Sequence, residues 1–432
     1  MTDTATGLLG MGALLILLML RVPVAFAIFL VGFIGISVLN GMSSAFNLMA
    51  SESFTLASSP ELVVIPLFIL MGNITAATGM SRQLYDAAYA IIGSVKGGLA
   101  SATILGCGGF AALSGSSVAS ALTMGRVALS QMDRFNYNQR LSTGAVAAGG
   151  TLGILIPSST GFVIYAILTE QSIGRLFLAG ILPGILLLTL FVLAITAICV
   201  IKPEFGPAGP RTTLSEKTRA FVAAAPILGV IALTIGGIYG GYFSPVEASA
   251  VGAVMVITLI RRTLTFKILF EALRGSVVTT ATVMLILIAA HMINPFLALS
   301  HIPSAVGEFI DALGLSPMAI LGLILLIYLI LGTFLEGFAM LVLTLPIFFP
   351  IIVAQGIDPI WCGVLVVLTL EMGLISPPVG LNVFIVKSVA PKVPLSDIFV
   401  GVIPFWLMML VTILILLAFP QIALMLPNAM IN

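Results

Sequence analysis

Four short interruptions of apolar sequence carry residue types that could hold a small cation and an anion. They are Ser114-Gly115-Ser116-Ser117, Pro157-Ser158-Ser159-Thr160-Gly161, Thr333 to Gly337 with Glu336, and Ser376-Pro377-Pro378-Val379-Gly380 running on to Asn382. Gly and Pro open a helical backbone, and the hydroxyl, amide and carboxylate oxygens beside them are hard ligands of the kind Na⁺ takes. A broken helix frees carbonyls on one half and N–H groups on the other, so one break can coordinate a cation and attract an anion together. For an isolated kink, a proline bend satisfied by a neighbouring serine or by water would rank first. Two symmetric pairs favour a site. Glu336 and Glu371 also interrupt apolar sequence, as candidates for proton carrier, cation ligand or ion-pair partner. Glu371 precedes Ser376 by five residues and either faces the same cavity or is hydrogen-bonded between packed helices. Glu247, after Ser244-Pro245, reads as a helix cap.

Other chemistry finds little support. Cys107, Cys199 and Cys362 lie far apart, and His291 and His301 lack ligand spacing, so these five read as packing or helix-end residues. No HExxH, GxGxxG or Walker loop is present. An intramembrane hydrolase using Ser114 and His291 is the enzymatic alternative, but a GxSG or paired-aspartate pattern is missing, and no catalytic residue and no organic cofactor is expected.

The elements that must position these breaks follow from composition. Of 432 residues, 60% are apolar and 8% charged, with a net charge of +1, which excludes nucleic-acid binding and points to an integral membrane protein. The run Leu8 to Leu20 lacks the flanks of a cleaved signal and reads as a retained span. A crossing helix needs about 20 mostly apolar residues. Candidate spans fall at about 7 to 20, 22 to 39, 61 to 80, 138 to 169, 171 to 201, 222 to 240, 245 to 260, 275 to 298, 358 to 390 and 395 to 425. Spans 138 to 169 and 358 to 390 contain the proline breaks and read as discontinuous helices. Stretches 97 to 132 and 317 to 355 divide into short halves that suit re-entrant hairpins, with ordinary helix pairs as the alternative. Charged amphipathic segments 82 to 94 and 264 to 274 suit surface arm helices ahead of the hairpins, or ordinary loop helices.

Anchors recur at offsets of 220 to 222 residues: Pro23 with Pro245, Asn73 with Asn294, Gly153 with Gly373, Pro157 with Pro377, and Gly180-Ile181-Leu182-Pro183 with Gly401-Val402-Ile403-Pro404. Ser116 falls opposite Glu336. The reading is two repeats, 1–201 and 222–432, joined by a cytoplasmic linker, 202–221. If the repeats are inverted and the first hairpin enters from the cytoplasm, Arg175 is the one cation of the 17 Lys and Arg left outside. The counterpart loops Asn40 to Ser53 and Pro346 to Ile360 carry no Lys or Arg. The expected fold is thus an all-α polytopic membrane protein of two inverted-topology repeats, each with a re-entrant hairpin and a discontinuous helix. Both termini should lie outside the cytoplasm.

Several of these segments resemble one family nearly end to end. Arg21-Val22-Pro23-Val24-Ala25-Phe26-Ala27, Ile65-Pro66-Leu67-Phe68-Ile69-Leu70-Met71-Gly72, the Ser114-Gly115-Ser116-Ser117 tip, Gly153-Ile154-Leu155-Ile156-Pro157-Ser158-Ser159, Ser244-Pro245-Val246-Glu247-Ala248 and Ile375-Ser376-Pro377-Pro378-Val379-Gly380-Leu381-Asn382 are similar to the large membrane subunit of tripartite ATP-independent periplasmic (TRAP) transporters. The resemblance implies a bacterial inner-membrane, Na⁺-coupled importer of an organic acid, such as a C4-dicarboxylate or sialic acid, working by an elevator mechanism. It also implies a small four-helix membrane subunit, expected on a separate chain, and a periplasmic substrate-binding protein. One cation site would then comprise Ser114, Gly115, Ser116 and Ser117 with Pro157, Ser158, Ser159 and Thr160. The other would comprise Thr333, Glu336 and Gly337 with Ser376, Pro377, Pro378, Val379 and Gly380. Ser116, Thr160 and Asn382 would face the substrate. No break carries a basic residue, and Arg126 lies one helix length beyond the first tip, so N–H groups, hydroxyls and Na⁺ would hold the anion. A stand-alone Na⁺/dicarboxylate symporter, or an ion antiporter driven through Glu371, is the alternative carrier.

Overall fold

Prolines, glycines and capping side chains divide this apolar chain into helices at definite places. The computed structural model describes residues 2–260 and 265–429. Before residue 202 the order is α1 (Asp3–Met19), α2 (Val24–Asn40), α3 (Met42–Ser58), α4 (Val64–Ala77), α5 (Met80–Ile92), α6 (Gly98–Ser114), α7 (Ser117–Arg134), α8 (Gln139–Leu155), α9 (Thr160–Thr169) and α10 (Ile173–Ile201). After the connecting segment come α11 (Leu214–Tyr239), α12 (Pro245–Ile260), α13 (Phe266–Leu299), α14 (Ile302–Ala312), α15 (Pro317–Gly332), α16 (Gly337–Ala354), α17 (Pro359–Gly373), α18 (Leu381–Val389), α19 (Leu395–Ala418) and α20 (Gln421–Ala429). No strand occurs among the described residues. Seven helices there are long and apolar enough to cross a membrane, counting α8 and α9 together as one. Large apolar side chains such as Leu193, Val222, Val254, Val277, Leu326 and Leu414 are exposed on the outer surface, as a lipid-facing surface requires.

Local chemistry explains the helix ends. Asn138 caps α8 through Arg140 N–H, Ser172 caps α10 through Arg175 N–H, and Asp358 caps α17 through the N–H groups of Ile360 and Trp361. Ser244 and Glu247 form a reciprocal capping box, with Glu247 accepting from Ser244 N–H at 2.8 Å, so the expected cap role of Glu247 is met. The connecting segment is tied to the ends of neighbouring helices: Gly97 N–H donates to Gly206 O, Gly209 N–H to Gly93 O, and Asn138 N–H to Phe205 O. Helix α11 begins at Leu214, inside the stretch expected as linker.

Three expectations are corrected. Segment 82 to 94 does fall largely in a short helix, α5. The second expected arm does not form: 266–274 is the start of the 34-residue α13, and 264 lies outside the described residues. Thr265 caps that helix, and no proline interrupts it before Pro295, so nothing stops it at 274. The short helix ahead of α15 is instead α14, which buries Ile302 and Ile310. The expected loops Asn40 to Ser53 and Pro346 to Ile360 are mostly helical, in α3 and the end of α16. Low charge there reflects polar or proline-containing helix rather than coil. Arg261 and Arg262, used in the charge argument, lie outside the described residues.

Two helices form the interior. Every residue of α8 from Leu141 to Leu155 is buried, and so is every residue of α17 from Ile360 to Gly373. Small residues permit this density, because helices approach closely where no side chain intervenes. The halves interlock here: Gly144 lies against the backbone of Gly401, and Arg140 pairs with Asp397 at 2.8 Å. A smaller apolar cluster joins α1, α2 and α13, including Leu14, Ile28, Val31, Ile293 and Phe296.

Candidate functional site

The first helix pair, α6 and α7, turns at Gly115 and Ser116. Gly115 has φ +58°, a backbone that favours glycine, and a Cβ there would strike the Ser158 carbonyl oxygen. Ser116 caps α7 by accepting from Ala119 N–H at 3.3 Å. This tip rests on the break between α8 and α9. Thr160 donates to Gly115 O from its hydroxyl at 2.8 Å and from its N–H at 3.3 Å, and Ser158 Oγ donates to Ala112 O at 2.8 Å. Ser159 caps α9 through Phe162 N–H. Gly153 makes the contact possible: a Cβ there would lie 2.6 Å from the Ser116 carbonyl. Pro157, Ser158, Ser159 and Thr160 are all buried.

The second pair is built differently. Glu336 caps α16 by accepting from Phe338 and Ala339 N–H groups at 3.1 and 3.2 Å, and Thr333 Oγ1 donates within its own turn to Ile330 O. Gly337 packs on Leu370, and Gly373 on the Gly332 backbone, where a Cβ would come within 2.7 Å. Among the described residues no hydrogen bond joins 333–336 to 376–382. Pro377, Pro378 and Val379 are exposed, so this break is open where the first is closed. Ser376 Oγ donates to Met372 O at 2.6 Å and accepts from Trp406 Nε1 at 2.8 Å.

Two further features give the site its character. Glu371 is fully buried on α17, and the Ser117 hydroxyl lies 2.7 Å from each of its carboxyl oxygens. Asn382, first turn of α18, is also fully buried, and neither its Oδ1 nor its Nδ2 has a hydrogen-bond partner. Buried amides are nearly always bonded, so one left bare on both atoms beside an open break marks where a ligand can supply the partners. The described residues contain no group of three or more His, Cys, Asp or Glu that could hold a metal. A cation here would therefore be held by hydroxyl, amide and carbonyl oxygens, which suits Na⁺ and not a transition metal.

The sequence-derived residues thus meet in part. Ser114 to Ser117 join Pro157 to Thr160 directly, and Ser117 carries the first tip on to α17. Thr333 is engaged within its own helix turn. The proposed hydrolase pair does not meet: Ser114 Oγ bonds Ser120 Oγ at 3.1 Å, and His291 Nδ1 bonds Glu52 Oε2 at 2.9 Å. Sequence reasoning missed Trp406 and the Glu371 partner. An indole N–H in an apolar helix needs an acceptor, which was the available signal for Trp406.

Comparison with known proteins bears on this geometry. Residues 11–422 match the family described as tripartite ATP-independent periplasmic transporter, DctM component. The C4-dicarboxylate TRAP transporter large permease protein of Pseudomonas aeruginosa is 38% identical over 88% of this chain and 89% of its own length. The sialic acid TRAP transporter large permease protein of Vibrio cholerae is 30% identical over 95% of this chain and 96% of its own. The crystal structure of the Alcanivorax borkumensis YdaH transporter shares the fold, with a TM-score of 0.61 over 88% of each chain at 13% identity.

Proposed function

This chain belongs to the DctM component of the tripartite ATP-independent periplasmic transporters, which are transport permeases and not enzymes. On that premise we propose that it imports an organic acid across the bacterial inner membrane, driven by Na⁺. The observation that carries the proposal is the buried Asn382 amide without partners beside an oxygen-lined break. In a membrane interior an unmet polar group costs several kcal/mol, so a ligand arriving there is strongly favoured.

In this reading Ser114 to Ser117 with Pro157 to Thr160 provide one Na⁺ site. Glu336 and Gly337 with Ser376 to Gly380 provide the other, and Asn382 meets the substrate carboxylate. The first break is fastened to its own tip, whereas Pro377, Pro378 and Val379 leave the second open to a ligand. Helices α6 to α10 and α15 to α19 move together as an elevator against α1 to α5 and α11 to α14. The dense α8 and α17 interior supports treating the moving part as one body, and the separate α1, α2 and α13 cluster supports a frame. The halves are inverted repeats, α6 with α7 and α15 with α16 being re-entrant hairpins, and both termini are periplasmic. The distribution of Lys and Arg supports this orientation.

A soluble periplasmic protein delivers the substrate, and a small membrane subunit stands beside the frame. C4-dicarboxylates and sialic acid, named for relatives, are the substrate classes to try first. The test is uptake of labelled succinate and N-acetylneuraminate into proteoliposomes holding both membrane subunits. Uptake should require an inward Na⁺ gradient and the soluble protein. Full transport by this chain alone, or transport indifferent to Na⁺, would overturn the proposal.

A further inference from the structure

A cavity of about 450 Å³ opens between α4, α5, α7 and α13, away from both breaks. That volume suits a small organic acid. Its walls carry two guanidinium groups from different helices, Arg82 on α5 and Arg126 on α7, together with Asn73, Thr123 and Glu271. Two cations against one acid leave the lining net positive. Among the described residues Arg126 makes no ion pair. Arg82 reaches Asp86 only at 4.0 Å, with both side chains largely exposed, where such a pair is worth little. Neither guanidinium is committed to a protein carboxylate. Their planar donor forks match a carboxylate's two oxygens.

The position of the cavity gives it meaning. Arg126 lies nine residues beyond Ser117 on α7, about 13 Å along the helix, and eight residues short of Arg134, about 12 Å from its end. That end adjoins Asn138, which is bonded to the connecting segment at Phe205. A carboxylate that left the first tip toward the connecting segment would meet Arg126 midway. There the facing wall supplies Arg82.

We propose that Arg82 and Arg126 form a second carboxylate subsite, which receives the substrate after it leaves the helix breaks and bridges α5 to α7 until release. This rests on the organic-acid importer reading above and extends it with a release site. While the anion bridges two helices assigned to different bodies, it holds those bodies together. Its departure frees them to separate. The ligand class is an organic carboxylate: the guanidinium forks accept other oxyanions too, but a cavity of about 450 Å³ is large for sulfate or chloride, so neither should match the protection a carboxylate gives.

Cysteine chemistry gives a direct test, because Cys107, Cys199 and Cys362 are all buried. Thr123→Cys places a reactive thiol in the cavity wall. In inside-out vesicles holding the full chain and its membrane partner, alkylation by an impermeant maleimide is timed with sodium succinate, sodium N-acetylneuraminate, sodium sulfate or sodium chloride at one ionic strength. At least one of the two carboxylates should slow alkylation by about tenfold, equivalent to about 1.4 kcal/mol of occupancy. Arg126→Gln and Arg82→Gln should each remove the protection, read as the ratio of that variant's own rates with and without carboxylate because a nearby cation also sets the thiol's reactivity, and Arg126→Lys should keep part of it. Equal protection by sulfate or chloride, protection surviving both Gln substitutions, or none by either carboxylate would overturn the subsite. Na⁺-driven uptake in right-side-out vesicles is read separately. Uptake without protection sinks the subsite alone, and protection without Na⁺-dependent uptake sinks the importer reading.

Discussion

Ser117 and Glu371 stand 254 residues apart in sequence, yet the serine hydroxyl lies 2.7 Å from both carboxyl oxygens in a fully buried setting. The contact joins the first residue of α7 to helix α17, buried from Ile360 to Gly373, so the turn of one half is fastened to the interior of the other. Removing one partner of a buried polar pair costs more than removing both. Ser117→Ala should therefore destabilise the protein by about 1–3 kcal/mol, and the double variant Ser117→Ala/Glu371→Leu should recover most of that loss. Thermal unfolding in detergent checks the order. If the double variant melts below the serine variant, the pair does not hold the halves as described.

The helix breaks, the start of the connecting segment and the capping residue Glu247 were legible in the sequence because each is written in local chemistry, whereas the end of that segment was not, since α11 begins at Leu214. Proline, glycine and a well-placed acid act on their own backbone within a turn. The arm ahead of the second pair was misplaced for the same reason. Charge at Lys267 and Arg274 looked like a short surface helix, yet helix length is decided by where a stop signal falls, and none falls before Pro295. The meeting of Ser117 with Glu371 could not be read at all. It depends on how two distant helices pack, and glycines such as Gly153 and Gly373 record that only as a permission for close approach.

Asn382 offers an opposite kind of test. Because neither amide atom has a partner, Asn382→Leu keeps the branched shape of the side chain and removes its buried polar atoms without breaking a side-chain hydrogen bond. Unfolding of the ligand-free protein should be unchanged or shifted upward by about 1 kcal/mol, within what removing an unsatisfied group yields. Carboxylate uptake in proteoliposomes should nevertheless be lost. A variant that melts earlier and still transports would show the amide to be structural.

Gly153 and Gly373 each admit a helix pair by lacking a side chain. An alanine methyl at Gly153 would lie 2.6 Å from the Ser116 carbonyl, and one at Gly373 2.7 Å from the Gly332 backbone. Backbone cannot rotate aside as a side chain can, so Gly153→Ala and Gly373→Ala should each cost about 1–3 kcal/mol. Both should also lower uptake more than expression, measured per folded molecule by size-exclusion fluorescence. Wild-type uptake by either variant would mean that its helix pair need not seat against the break.

Trp406 supplies a reporter native to the second break. Its Nε1 donates to Ser376 Oγ at 2.8 Å, whereas the other tryptophan, Trp361, donates to Leu416 O at 3.0 Å away from the breaks. An ion held by oxygens of 376–380 would draw on the Ser376 hydroxyl and so alter the indole's hydrogen bond. In a Trp361→Phe background, which leaves Trp406 as the single indole, NaCl should change the emission saturably where KCl at equal ionic strength does not. Ser376→Ala should abolish the response, because the indole then loses its acceptor and the break one of its oxygens. The comparison of two salts separates ion binding from screening, which acts on both alike. A response to Na⁺ that survives Ser376→Ala would place the ion elsewhere, and no response in the parent protein would remove the second break from the list of Na⁺ sites.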